Sequence, residues 1–316
     1  MKKKLISIVT PVRNEEGALL QFYDTLTAEV SKYSESYEFE FVFTDNASED
    51  STFLILRKLA STDKRIRAYR LSKNFGYQKS IFTGYSLSKG NCAVQLDCDL
   101  QDPPEMIRIF LEKWEEGFDI VYGVRKKRAE GPIITFLRKL FYRFLNMISD
   151  EPLPNDAGDF MLIDRKIIDI ISGIKDSSIY IRGSVFSLGF KKHGIEYARR
   201  PRTNGKSKFP LVKLFHLASD AVFTQSSFLV RLMIFSSVFI GFFAFITSLV
   251  YIVLKVKGIY FPTGYVSLFI ALLISIAINT LFIGILGQYM LRIYNIVRAL
   301  PVSLIEESVN DDLSKS

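Results

Sequence analysis

Two long stretches without one charged residue, Leu232 to Leu254 and Gly258 to Leu291, limit what this chain can fold into. A helix crosses the hydrocarbon core of a bilayer with about 20 apolar residues, and both stretches are long enough. The chain has 316 residues, 23% of them charged and 48% hydrophobic. Apolar residues gathered at one end predict a polar domain joined to two transmembrane helices, at about 231–255 and 264–289. Arg199, Arg200, Arg202, Lys206, Lys208 and Lys213 precede the first stretch, and Arg292 and Arg298 follow the second. Only Lys255 and Lys257 lie between them, so the positive-inside bias puts both flanks in the cytosol. The apolar run after the opening "MKKK" is too short for a secretory signal. Residues 1–227 and the tail 293–316 are therefore expected to be cytosolic.

The net charge of +8 is carried by runs such as "RKKR" (125–128) and "RRPR" (199–202). Basic residues beside a membrane meet anionic headgroups, and no nucleic-acid module accompanies them. Membrane lipids are the expected partner. The helical face of "FPLVKLFHLASDAVF" (209–223) fits an amphipathic helix in the headgroup layer, covering 209–228. The two cysteines, Cys92 and Cys98, and two histidines are too few for a soft-metal site.

The first 125 residues alternate strand and helix patterns. Strands are expected at 5–12, 37–45, 65–71, 92–99 and 119–125, with helices between them. Such alternation predicts an α/β domain with a mostly parallel sheet, spanning 1–208. In these sheets ligands bind beyond the carboxyl ends of the strands, where Pro11 to Glu15, Asp45, Asp97 to Asp102 and Arg125 all fall. The tail "EESVNDDLSKS" reads as disordered.

"QLDCDLQDPPE" (95–105) ends a strand in four acidic side chains, and something must neutralise them. Alternation along a strand would point Asp97 and Asp99 the same way, toward one hard cation. Mg2+ and Mn2+ bind through one or two carboxylates plus substrate phosphate oxygens. Asp102 and Glu105 read as charges at a helix N-terminus. A dinucleotide fingerprint, a P-loop and H-E-x-x-H are all absent.

"PVRNEE" (11–16), "TDNASEDST" (44–52), "LSKNFG" (71–76), "QLDCDLQDPPE", "VYGVR" (121–125), "GDFMLIDRK" (158–166) and "RTNGKSKFP" (202–210) occur in that order. As a set they resemble the polyprenyl-phosphate glycosyltransferases of the bacterial inner membrane. These are relatives of dolichol-phosphate mannose synthase, and bactoprenol glucosyltransferases are the nearest type. The resemblance covers nearly the whole chain. It implies a GT-A (Rossmann-like) fold, a nucleotide-sugar donor (UDP-glucose first), a polyprenyl phosphate acceptor such as undecaprenyl phosphate, and Mg2+ or Mn2+. It also implies that Pro11, Arg13, Glu15 and Asp45 hold the nucleoside, with Asp97, Cys98 and Arg125 along the donor. Asp99, with Asp97, would bind the metal. Arg202 and Lys208 would grip diphosphate or acceptor phosphate, and Asp159 would be catalytic beside Asp99.

Three departures stand out. Cys98 replaces a small residue, Met161 replaces a common Arg, and "TDNASED" replaces Asp-Asp-Gly-Ser. Other donors (GDP-mannose, UDP-GlcNAc, an aminosugar) and an inactive nucleotide-sugar-binding membrane protein are the alternatives. A processive synthase lacks support because Q-x-x-R-W is absent. Gly241, Gly284 and Gly287 would let apolar helices pack closely, which allows a homo-oligomer.

Overall fold

The computed structural model describes residues 3–125, 157–174, 179–200, 228–258, 264–298 and 301–311. In chain order the strands are β1 (Lys4–Val12), β2 (Tyr37–Asp45), β3 (Ile66–Leu71), β4 (Cys92–Gln95), β5 (Ile120–Arg125), β6 (Ala157–Asp164), β7 (Lys192–Tyr197) and β8 (Ile305–Val309). The helices are α1 (Leu19–Ser31), α2 (Thr52–Thr62), α3 (Tyr77–Leu87), α4 (Met106–Glu115), α5 (Arg165–Ser172), α6 (Ile181–Phe186), α7 (Phe228–Val256) and α8 (Tyr265–Val297). The chain divides into two compact units. The first takes residues 1–142, 153–210 and 299–316, and the second takes 143–152 and 211–298.

In the first unit all eight strands form one sheet, ordered β7-β5-β6-β4-β1-β2-β3-β8. The sheet is mixed. β1 is parallel to β2 and β4, β2 to β3, and β5 to β7, whereas β6 runs antiparallel to both β4 and β5. Strand side chains alternate between faces, and two hydrophobic layers result. Ile6, Ile8, Phe41 and Phe43 pack on one face with Phe22 of α1, Phe53 of α2 and Phe110 of α4. Val9 and Val42 face the other way, toward Ile81 and Tyr85 of α3, Ile168 of α5 and Val185 of α6. Each fully buried large side chain stabilises this unit by roughly 1.5–3 kcal/mol.

Pro11 does not stop β1, which continues to Val12. β4 pairs with β1 only as far as Val9, whose carbonyl accepts from Leu96, and then diverges. The missing N–H of Pro11 points to that open side, so no ladder partner is lost. β4 itself is shorter than its pattern suggested and ends at Gln95.

The described part of the tail, to Asp311, is ordered, contrary to the expectation from its composition. β8 pairs antiparallel with β3 and closes that sheet edge. Asp311 accepts hydrogen bonds from Tyr69 and from Arg67, the latter at 2.8 Å. The amide of Asn310 donates to the carbonyls of Ala60 and Ile66. The acidic residues that made 306–316 look disordered are the charges that keep an edge strand from pairing with other chains.

In the second unit α7 and α8 carry exposed large apolar side chains, among them Phe235, Phe239, Ile283 and Met290. Among the described residues one segment, Ile274–Leu291 within α8, is long and apolar enough to cross a membrane by length and composition. The expected amphipathic helix at 209–228 falls mostly outside the described residues.

Candidate active site

Because β1 to β4 are parallel, their carboxyl ends share one sheet edge. β6 runs the opposite way, so its first residues, Ala157, Gly158 and Asp159, lie at that same edge. Val94 pairs with Leu162 near the end of β4, and beyond it Asp159 lies close enough to Asp97 for the two carboxylates to repel. Asp97 accepts from the Tyr77 hydroxyl at 2.6 Å and from the Gln95 amide at 2.7 Å. Asp159 Oδ2 accepts from Gln78 Nε2 at 3.2 Å, and Gln78 Oε1 accepts from the Ile181 N–H at 3.1 Å. The backbone donor fixes which way the Gln78 amide faces, so Asp159 meets a donor and is held as an acceptor. Its Oδ1 is buried with no hydrogen-bond partner among the described residues.

Asp97 and Asp99 lie past the end of β4, in a turn where Leu100 takes a φ of 54°. Strand alternation therefore does not bring them together; the turn does. Burial pushes the Asp97 carboxyl up to about 7, aided by the charges of Asp102, Asp99 and Asp159 and opposed by the Tyr77 hydrogen bond. No Lys or Arg among the described residues forms an ion pair with Asp97.

The other two acids of the patch are neutralised within the chain. Buried Asp102 accepts from the Tyr197 hydroxyl and from Arg199 Nε at 3.1 Å, with Arg125 at 3.9 Å. Glu105 pairs with Arg200 at 3.0 Å. Glu105 does stand at the N-cap of α4, as expected, though its side chain makes no capping hydrogen bond; the two acids also use two arginines of the basic run that had suggested a membrane surface. Arg125 lies across Gly158, where an added Cβ would come within 2.9 Å of the guanidinium. That close approach explains a glycine beside Asp159.

At the ends of β1, β2 and β3 lies a pocket of ≈ 680 Å³ lined by residues including Arg13, Ser48, Asp50, Phe53, Arg70 and Asn74. Asp45 is fully buried beside it, bonded to the hydroxyl and N–H of Ser48, with Arg70 at 4.0 Å. Burial raises the Asp45 pKa, while Ser48 and Arg70 lower it in part. Asn46 accepts from the Phe75 N–H at 2.8 Å and donates to Asn74 Oδ1 at 2.8 Å, tying the end of β2 to the loop before α3. An aspartate at 46 could do only the first. The backbone N–H of Glu15 donates to Thr52 Oγ1 at 2.8 Å.

Arg13, Glu15 and Asp45 thus gather at one part of the edge, and Asp97, Asp99, Arg125 and Asp159 at the other. Pro11 is buried near the end of β1, and Cys98 is 3% exposed, between Asp97 and Asp99. Arg202 and Lys208 lie outside the described residues. Sequence reasoning missed Arg70, Tyr77, Gln78 and Tyr197. The one available signal was Gly76, which takes a φ of 95° just before α3.

A divalent cation fits this donor set. Its ligands are carboxylate oxygens, and a cation would offset both the burial that raises the Asp97 pKa and the repulsion from neighbouring acids that adds to it. Among the described residues no three His, Cys, Asp or Glu side chains cluster at metal-ligand spacing, so oxygens of a bound diphosphate would have to complete the shell.

A sequence profile described as Glycosyl transferase family 2 matches residues 7–171. An uncharacterized glycosyltransferase of Bacillus subtilis (strain 168), YkcC, is 36% identical over 96% of this chain and 93% of its own length. The SfII prophage-derived bactoprenol glucosyl transferase of Shigella flexneri is 32% identical over 96% of this chain and 98% of its own. Among solved structures, mannosyl-3-phosphoglycerate synthase from Rubrobacter xylanophilus aligns with a TM-score of 0.48 at 17% identity, covering 69% of this chain and 72% of its own. With a profile spanning half its length and relatives matching it nearly end to end, the chain belongs to glycosyl transferase family 2.

Proposed function

We propose that this glycosyltransferase moves glucose from UDP-glucose onto undecaprenyl phosphate at a membrane surface, giving a lipid-linked monosaccharide. The observation that carries the reading is the convergence of Asp97, Asp99 and Asp159 at the same end of the sheet as the pocket that holds Arg13 and Arg70. A nucleoside diphosphate suits that pair, with the nucleoside by Asp45 and the sugar toward Asp159. The name of the Shigella flexneri relative supports glucose and a bactoprenol acceptor.

Asp99, with Asp97, would hold Mg2+ or Mn2+, which when bound stabilises charge on the departing diphosphate. Arg125, fixed by Asp102 and Tyr197, adds positive charge at the same edge. A phosphate monoester has a second pKa of about 6, so the acceptor is largely dianionic at neutral pH and needs no strong base. Asp159 then orients the acceptor rather than removing a proton. Arg202 and Lys208 are assigned to the acceptor phosphate, and 209–228 to an interfacial helix. α7 and α8 form a membrane hairpin, whose Gly284 and Gly287 have open space beside them for a second copy.

The test is transfer from radiolabelled UDP-glucose, UDP-GlcNAc, UDP-galactose and GDP-mannose into undecaprenyl phosphate by detergent-purified protein. Lipid labelling from UDP-glucose alone is expected. Labelling from another donor would reassign the sugar, and labelling from none, with UDP still bound, would count against transfer to this lipid.

A further inference from the structure

The pairing of β8 with β3 is interrupted by a bulge at a position that bears on the pocket. Arg70 pairs with Glu307 and Leu71 with Ile305, leaving Glu306 as the extra residue. A bulge re-aims the side chain it carries. Here the Glu306 carboxylate comes to 3.7 Å from Arg70 Nε, the same atom that is 4.0 Å from Asp45. Arg70 also donates to the Ser48 carbonyl at 3.2 Å. One guanidinium on the pocket wall is thus shared by a buried carboxylate of β2 and an exposed one from the far end of the chain.

The surrounding contacts hold this arrangement in register. The Ser72 N–H donates to the Leu304 carbonyl at 2.9 Å, Thr83 and Ser303 share a hydrogen bond at 2.6 Å, and Glu307 pairs with Arg57. The strand is not needed to bury a large apolar area. It contributes charge and register at the end of β3.

We propose that Glu306 is a positioning residue for the nucleoside diphosphate, acting through Arg70. By drawing the guanidinium partly off Asp45, it leaves that carboxylate able to accept from a nucleoside and keeps Arg70 open to the pocket. Without Glu306, Arg70 closes onto Asp45, and the two groups satisfy each other instead of the ligand. The segment that follows α8 is in this way part of the donor site. The inference rests on the donor reading above.

The experiment titrates UDP calorimetrically into the full-length protein in detergent with Mg2+, for wild type, Glu306→Ala, Glu306→Asp, Arg70→Ala and the double variant. A partly exposed ion pair is worth up to about 1 kcal/mol, so Glu306→Ala should bind UDP about three- to fivefold more weakly. Glu306→Asp should recover part of the loss, and the donor KM should rise while kcat at saturating donor changes little. In the Arg70→Ala background, removal of Glu306 should have no further effect. Equal UDP affinity in wild type and Glu306→Ala would overturn the proposal, as would an effect of the same size without Arg70. Failure of wild-type protein to bind UDP would instead overturn the donor reading, and this inference with it.

Discussion

Ala47 occupies a backbone position that suits glycine. Its φ is 53°, in the left-handed region that costs a non-glycine residue roughly 1–2 kcal/mol, and it stands where the Asp-Asp-Gly-Ser pattern has Gly. Ala47→Gly should therefore stabilise the protein by about 0.5–1 kcal/mol, part of the gain being lost to the freer unfolded chain. A thermal unfolding midpoint that stays level or falls would contradict this. At Asp159 the chemistry is decided by one amide. Gln78→Ala removes the donor to Oδ2 and strands the Ile181 N–H, so kcat should fall a few-fold, as for the loss of one hydrogen bond. Gln78→Glu should fall further, since it sets a second carboxylate against the first. If Gln78→Glu matches wild type, Asp159 is not held as an acceptor. Asp159→Asn should lose only a few-fold in turnover if the residue orients the acceptor; a loss of several orders of magnitude would indicate proton transfer.

Among the elements, β8 makes the clearest stability prediction. Burial would raise the Asp311 pKa, but hydrogen bonds from Tyr69 and Arg67, with the charges of Arg67 and Lys89, hold it at about 2. A carboxyl depressed on folding stabilises above its unfolded pKa near 3.8, and that contribution is lost as pH falls toward about 2. Asp311→Asn should cost about 1 kcal/mol at neutral pH, allowing for solvent screening at the sheet edge. The gap should hold down to about pH 5 and close below pH 4. A gap that widens in acid would contradict the assignment. The elements also divide by how plainly they could be read. β1 is an apolar run buried along most of its length, and β2, β3 and β5, though they carry charged residues, show enough β-branched and aromatic residues to be read as strands. β6 and β7 were not recognised, because Gly158, Asp159 and Asp164 interrupt the first, while the second, "KHGIEY", is a mostly polar edge strand. β8 was misread because its stability comes from Arg67, Tyr69 and Arg57, residues some 240 positions away in sequence. The acid cluster was legible as composition. Its partition into paired Asp102 and Glu105, and Asp97 held instead by Tyr77 and Gln95, depends on partners from α3, β7 and the residues just after β7 that no local pattern announces.

For the whole molecule, both flanks of residues 211–298 belong to the α/β unit. The apolar helices that leave this domain return to it, so any crossing of a bilayer occurs an even number of times. In inverted and right-side-out vesicles, cysteines placed at Glu35 and Lys257 should be labelled from opposite faces, and labelling of both from the same face would rule out the hairpin. In the proposed reaction the carboxylates beyond β4 hold a divalent cation for sugar transfer. Glucosyl transfer to undecaprenyl phosphate would be measured for wild type and Asp99→Ala, each over a titration of Mn2+ and Mg2+. Saturable metal-dependent transfer that chelation abolishes is expected of wild type, and essentially none of Asp99→Ala at any metal concentration. Transfer by Asp99→Ala with the wild-type metal response would contradict this.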